Sequence, residues 1–224
     1  ETALHKRPMV IAYRMQWLSW QIANRKRLLP WIGGAHQRRA LNQAFLAGCS
    51  VGVGWVELMA ALRSHGAKHD DFGQHNNRQV CMHAGRFWRP SQTTSSLIAR
   101  LDGVTPQMMA TATSAPCMSL FQPLTFATGS GGDLLSDPAQ PVEQSRWWRF
   151  EAVHRRALGD EAFRKTLRAS RDELEQQLLA RWRVSSPDWS GLQESAASWH
   201  QHWQQRAAEQ PASLNRWWRR HAQL

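Results

Sequence analysis

Between Asp160 and Arg183 the chain carries Phe163, Leu167, Leu174, Leu178 and Trp182 at intervals of four and seven, with charged and polar residues between them. An α-helix brings those positions onto one face, because its side chains recur every 3.6 residues. The spacing therefore predicts a long helix over 160–183, with an apolar stripe that must find a partner surface. Arg168 with Asp172 and Arg171 with Glu175 lie four apart and are expected to pair along its exposed side, for a few tenths of a kcal/mol each. Ser185-Ser186-Pro187 stops the helix. Residues 191–209 and 212–223 read as two more helices, broken at Pro211, so the final third is helical.

Upstream the pattern changes. Residues 9–23 mix apolar side chains without a clean period, and Gly33-Gly34 punctuate. From His36, Ala40, Leu41, Ala44, Phe45 and Ala47 fall at helical spacing, with Gly48 as the residue that ends the run. A second helix is predicted from Trp55 to His65, ending at Gly66. Residues 67–79 are polar and read as a loop. Four short strands are predicted at 80–84, 93–101, 108–113 and 120–126, with Pro116 and Pro123 as breaks. Residues 128–145 form a Gly- and Pro-rich connector. Helices, then a strand cluster, then helices define an α+β class, an antiparallel sheet with helices segregated to its faces. Two units are expected: residues 1–140, and a helical extension over 141–224 packed on them.

Charge and cysteine usage narrow the function. The net charge is +11, with nine Lys/Arg against two acids in residues 1–66, five against five in 67–140 and fourteen against ten in 141–224. A basic balance of this kind can serve nucleic acid. The basic residues are scattered among Trp and Gln, however, and no RNA- or DNA-binding module motif is present, so nucleic acid is not the expected partner. No apolar run approaches the ~20 residues that span a bilayer, and no signal peptide is legible in residues 1–30. Three cysteines at wide spacing, Cys49, Cys81 and Cys117, argue against a secreted disulfide framework and for a reducing, cytoplasmic compartment. The thirteen tryptophans, many beside arginines, read as amphipathic packing with arginine rims.

Three constellations could carry chemistry. Cys49 follows Gly48 and would be exposed as a nucleophile only by removal of the residues before it. Cys81-x-His83 with Cys117 and His65, His69 and His75 can be drawn as a zinc site. Ligand spacing of the C-x2-C or H-x3-H kind is missing apart from His65 and His69, so no metal or cofactor is expected; the two cysteines read as small buried hydrophobes. The better candidates are His83, Arg86 and Arg89 around Gly85, followed by Gln92, Thr93 and Thr94. Two guanidiniums near hydroxyls and an amide suit bidentate recognition of a carboxylate such as a peptide terminus.

The stretch CMHAG…SQTTSSL…TATSAPCMSLFQP resembles the C-terminal half of the secernins and their bacterial dipeptidase relatives, cysteine-type N-terminal-nucleophile hydrolases. The SQTTSS segment is similar to that family's TT(A/G)S motif. Pro116-Cys117-Met118-Ser119-Leu120-Phe121-Gln122-Pro123 is similar to its P(C/S)xS(V/L)FKP motif, with Gln122 in place of the usual lysine. The resemblance runs over 80–126 and more loosely over 40–66 and 146–183. It implies a partial four-layer αββα sandwich, of which these are the later strands, and a dipeptidase or amide hydrolase acting on small peptides. It also implies that the nucleophile-bearing half lies upstream of Glu1, so that this chain is an inactive fragment by itself. The rival expectation is a non-catalytic, secernin-like interaction module.

Overall fold

The structure, a computed structural model, describes residues 33–49, 53–66, 77–85, 91–101, 106–124, 145–183 and 187–209. Among these, the elements in chain order are helices α1 (Ala35–Gly48) and α2 (Trp55–Leu62), strands β1 (Leu97–Arg100), β2 (Gln107–Ala110) and β3 (Gln122–Leu124), and helices α3 (Arg146–Gly159), α4 (Glu161–Trp182) and α5 (Trp189–Glu209). The strands form an antiparallel sheet in the order β1-β2-β3, with Ile98 opposite Met109 and Met109 opposite Pro123. Pairs of this kind stack the buried side chains on one face.

The helix over 160–183 forms as its periodicity dictates. Asp160 caps it, accepting from the Phe163 N–H at 3.0 Å, and such a cap stabilises a helix by about 1 kcal/mol. Phe163, Leu167, Leu178 and Trp182 are buried, and each contributes roughly 1.5–3 kcal/mol of transfer free energy. Aromatic edges lock the stripe to its neighbours: Trp182 meets Trp55 of α2 at 5.0 Å, and Phe163 meets Trp203 of α5 at 5.2 Å, both T-shaped. Arginines lie over aromatic rings at its edges, Arg206 over the Trp203 ring at 5.3 Å and Arg156 over Phe163 at 5.6 Å. One continuous apolar core runs from Trp55 and Met59 through Met109, Met118 and Phe121 to Phe150, Leu167 and Trp203.

Arg171 and Glu175 correct the surface-pair expectation. Both are buried. Glu175 is engaged by the Arg63 guanidinium through both oxygens and accepts from the Phe121 N–H at 2.6 Å. Arg171 donates to the Cys117 carbonyl and to Asp172. Tertiary partners displaced the pairing along the helix, because a buried carboxylate needs every donor within reach. The predicted strand at 80–84 is also irregular. Its backbone makes single contacts, from the Cys81 N–H to the Ser64 carbonyl at 3.1 Å and from the Thr93 N–H to the Met82 carbonyl at 3.0 Å. The sheet strands are shorter than predicted, and residues 9–23, 67–76, 128–144 and 212–223, for which an irregular stretch, a loop, a connector and a helix are expected, fall outside the described residues.

Gly34 shows why a glycine precedes α1. Its φ is +67°, and a Cβ there would meet the Asn77 carbonyl oxygen at 2.6 Å. Only glycine tolerates both conditions.

On α5, His200 is buried between Phe150 and Trp199, with centroids 5.1 Å from each. Its Nδ1–H donates to the Ala196 carbonyl at 2.7 Å, and its Nε2 has no hydrogen-bond partner among the described residues. Burial, and then the nearby Arg146 charge, push its pKa down to about 3. The unfolded chain, with an ordinary histidine, binds more protons below pH ~6.5, so stability falls as pH drops from there toward 3. Between pH 6.5 and 5 the expected loss is roughly 2 kcal/mol. Urea unfolding at pH 7 and 5 checks this: His200→Phe should flatten the difference, and an unchanged slope in that variant would remove His200 as its cause.

Candidate metal centre

Residues 111–121, between β2 and β3, are buried throughout yet form no regular ladder. Their polar groups are met by side chains instead. The Thr113 hydroxyl donates to the Ser119 hydroxyl at 2.9 Å, and the Ser119 hydroxyl in turn reaches the Ser114 carbonyl at 2.9 Å. Arg63 donates from Nε to the Pro116 carbonyl at 2.8 Å and from Nη2 to the Ser119 carbonyl at 3.0 Å. With Arg171 on the Cys117 carbonyl, two helices hold this turn at both ends. Cys117 is thereby fixed with its thiol facing inward.

Opposite it lie His65, just beyond α2, and Cys81 and His83 of the 77–85 segment. Gln79 ties the two segments, donating to the His65 carbonyl at 2.8 Å. All four side chains are buried, and one donor atom of each lies within 4.8 Å of all the others. His83 Nε2 is the common point, 3.0 Å from His65 Nε2, 3.3 Å from Cys117 Sγ and 3.7 Å from Cys81 Sγ. A tetrahedral zinc with ordinary bond lengths separates its ligand atoms by about 3.3 Å for two nitrogens and about 3.5 Å for nitrogen and sulfur. The observed distances match those edges to within a few tenths of an ångström.

Behind His83 stands α3. His83 Nδ1 is 3.0 Å from His154 Nε2, and His154 Nδ1 is 3.1 Å from Glu151 Oε2. Glu151 also accepts from Ser114, from Gln92 Nε2 at 3.2 Å and from Arg155 Nε at 3.1 Å. Burial alone would raise this carboxyl, but His154, Ser114 and Arg155 overcome it and hold the pKa at about 2.

The thiols differ. Burial first, and then the adjoining Cys117, push the Cys81 thiol well up. Burial pushes Cys117 the same way, but hydrogen bonding from Cys81, His65 and His83 and the charge interaction with His83 outweigh it and hold Cys117 well below the ordinary thiol range. His83 is lowered, chiefly by burial, which favours the neutral, ligating form of an imidazole. The site therefore offers two cysteine sulfurs and two imidazoles, a soft donor set suited to Zn²⁺ and unsuited to Mg²⁺ or Ca²⁺.

Of the residues singled out from sequence, His83 is at the centre of this cluster, and Gln92 reaches its rear through Glu151. Thr93 is a peg, its hydroxyl accepting from the Met82 N–H at 3.0 Å. Thr94 is exposed, and its carbonyl accepts from Trp147 Nε1 at 3.0 Å. Arg86, Arg89, His69 and His75 lie outside the described residues. Cys81 and Cys117 are buried, but among imidazoles rather than among hydrocarbon alone. Sequence reading draws His65, Cys81, His83 and Cys117 together, among His69 and His75, but sets the group aside for want of ligand spacing; it misses His154 and Glu151. The Cys81-x-His83 pair was legible; its companions stand 18, 34 and 71 residues from His83, where no local spacing marks them. Elsewhere, a groove of about 900 Å³ beside β1 is lined by Trp55, Leu58, Ile98, Arg100, Leu101 and Arg183 among others, apart from the cluster. Among the described residues, no helix is long and apolar enough to cross a membrane.

The fold and this cluster together define a small mixed helix-and-sheet protein with a buried Cys2His2 donor set. Comparison with known proteins adds a local likeness of another kind. A stretch of 33 residues is 76 % identical to a lipid-A-disaccharide synthase of Albidiferax ferrireducens, covering 15 % of this chain and 8 % of that protein. The corresponding enzymes of Verminephrobacter eiseniae and Methylobacillus flagellatus are each 61 % identical over 33 residues. The chain thus spans less than a tenth of the length of these relatives. No protein-family model and no solved structure matches.

These findings correct the resemblance drawn from CMHAG, SQTTSS and PCMSLFQP. The matching relatives are named as lipid-A-disaccharide synthases, not as secernins or N-terminal-nucleophile hydrolases, and nothing supports a secernin-like dipeptidase or interaction module. Part of the reason is physical. Short runs of small and hydroxyl-bearing residues suit any buried, irregular turn, and Thr113, Ser114 and Ser119 serve that purpose here.

Proposed function

We propose that this chain is a metal-binding protein that holds one Zn²⁺ through His65, Cys81, His83 and Cys117, as a structural staple. The observation that carries this is the convergence of two imidazole nitrogens and two sulfurs inside the core, all within 4.8 Å of one another, with His83 Nε2 at tetrahedral-edge distances from the other three. Four protein donors in a buried position make a closed site, which favours a structural ion over a catalytic one with an open position. The ion would join three segments that share no regular ladder: the end of α2, the 77–85 loop and the 115–119 turn. The three free thiols, two of them ligands, support a reducing, cytoplasmic location, where the cysteines stay available to a metal.

The test is metal content and titration. Purified full-length chain is expected to take up one Zn²⁺, or one Co²⁺ with the visible spectrum of a tetrahedral thiolate site. Cys81→Ser and Cys117→Ser should each lose most of the affinity, whereas Cys49→Ser should leave it unchanged. Failure of the wild-type chain to bind Co²⁺ or Zn²⁺ would sink the proposal.

The strong local identity favours a second, narrower reading: the chain carries a segment of lipid-A-disaccharide-synthase type. An assay of the purified chain for that disaccharide-forming activity tests whether any of the activity comes with the segment.

A further inference from the structure

We propose that His154 and Glu151 are positioning residues for the metal centre, an outer shell that fixes which nitrogen of His83 meets the ion and how firmly. This rests on the four-ligand reading above. Its own basis is the direction of the hydrogen bonds. Glu151, as a carboxylate, can only accept, so His154 Nδ1 must donate to it across 3.1 Å. In a neutral His154 the other nitrogen, Nε2, then carries a lone pair. It accepts from His83 Nδ1–H across 3.0 Å, which leaves the His83 lone pair on Nε2, the atom that faces His65, Cys81 and Cys117.

The placement of α3 makes this arrangement stiff. His154 is fully buried, its ring lying face to face with that of His83 at 5.3 Å. Glu151 is fixed from three other sides by Ser114, Gln92 and Arg155. A histidine ligand that donates to a carboxylate-backed acceptor is held in one tautomer and one ring orientation and binds more strongly; loss of such a partner typically weakens metal affinity 10–100-fold. The segments carrying His65, Cys81 and Cys117 also belong to the core without any metal. The α3 dyad is distinguished by how it reaches the centre, through His83.

The experiment compares Zn²⁺ and Co²⁺ affinities, by competition with a chromophoric chelator, across the full-length wild type and three variants. His154→Leu keeps bulk and removes the acceptor; it is expected to bind 10–100-fold more weakly while retaining the Co²⁺ spectrum of an unchanged ligand set. His154→Gln, whose carbonyl accepts from His83 and whose amide donates to Glu151, should recover most of that loss. Glu151→Gln, which keeps its shape and loses its charge, should fall between them and serves if His154→Leu does not fold. A merely structural role would lower the melting temperature of the stripped protein and leave affinity alone. Wild-type binding with no change of affinity in His154→Leu, or in Glu151→Gln should that stand in for it, would overturn the positioning role and leave the four-ligand centre intact. No binding by the wild type would remove the centre itself, and the dyad's role with it.

Discussion

Stripping the ion with a chelator is expected to lower the midpoint of thermal unfolding by on the order of 10 °C. A ligand that binds only the folded state stabilises it by about 4 kcal/mol when present at ~1,000 times its dissociation constant. For a chain of this length each kcal/mol moves the midpoint by roughly 2–4 °C. The effect should be this large because the ligands come from segments distant in sequence, so the unfolded chain has no comparable site. Differential scanning calorimetry with and without chelator, and then with Zn²⁺ restored, checks it. Mg²⁺ in place of Zn²⁺ should restore nothing, since thiolates do not favour a hard cation. A midpoint unmoved by chelation in a sample shown to contain zinc would place the ion elsewhere than at this centre.

Replacing Glu175 by alanine is expected to cost about 3–5 kcal/mol, the range for breaking a buried pair by removing one partner. The loss comes from what remains. Arg63, whose side chain is 12 % exposed, keeps its charge without its counter-ion, and the buried Phe121 N–H loses its acceptor. Arg63→Met with Glu175→Leu should recover much of the loss, because removing both charges also removes their desolvation. Urea unfolding measures both. A cost below 1 kcal/mol for Glu175→Ala would mean that water replaces the carboxylate and that the pair is not a buried one. Because Arg63 and Glu175 also hold the turn that presents Cys117, the single variant should weaken Zn²⁺ binding as well.

How far the sequence could be read depended on the range of the interaction concerned. The helix at 160–183 was legible because its signal is local: five apolar residues at intervals of four and seven, with Ser185-Ser186-Pro187 to stop them. The glycine before α1 and the short strands around Pro116 and Pro123 were legible for the same reason, though the strands came out shorter because their pairing was settled across the sheet. The site was half legible. His65, Cys81, His83 and Cys117 could be drawn together with His69 and His75, but His65 and Cys117 stand 18 and 34 residues from His83, no spacing rule singles them out over loops of that length, and His154, 71 residues away, was not legible at all. Arg171 and Glu175 show the same limit from the other side. Their separation of four residues promised a surface pair, and tertiary packing turned both inward. The resemblance carried by SQTTSS and PCMSLFQP misled because hydroxyl-rich, proline-bounded segments recur wherever a buried turn must satisfy its own backbone.

By itself, then, the sequence determined the helices α1, α2, α4 and α5, the apolar stripe of α4, and that the cysteines do not form a secreted framework. Tertiary structure alone decided that two cysteines and two histidines from three separate segments meet at one point, and that Glu151 and His154 stand behind them. The division follows from range: helix period and capping act within a few residues, whereas a metal centre is defined by distances between chain segments whose approach is set only by the closing of the core.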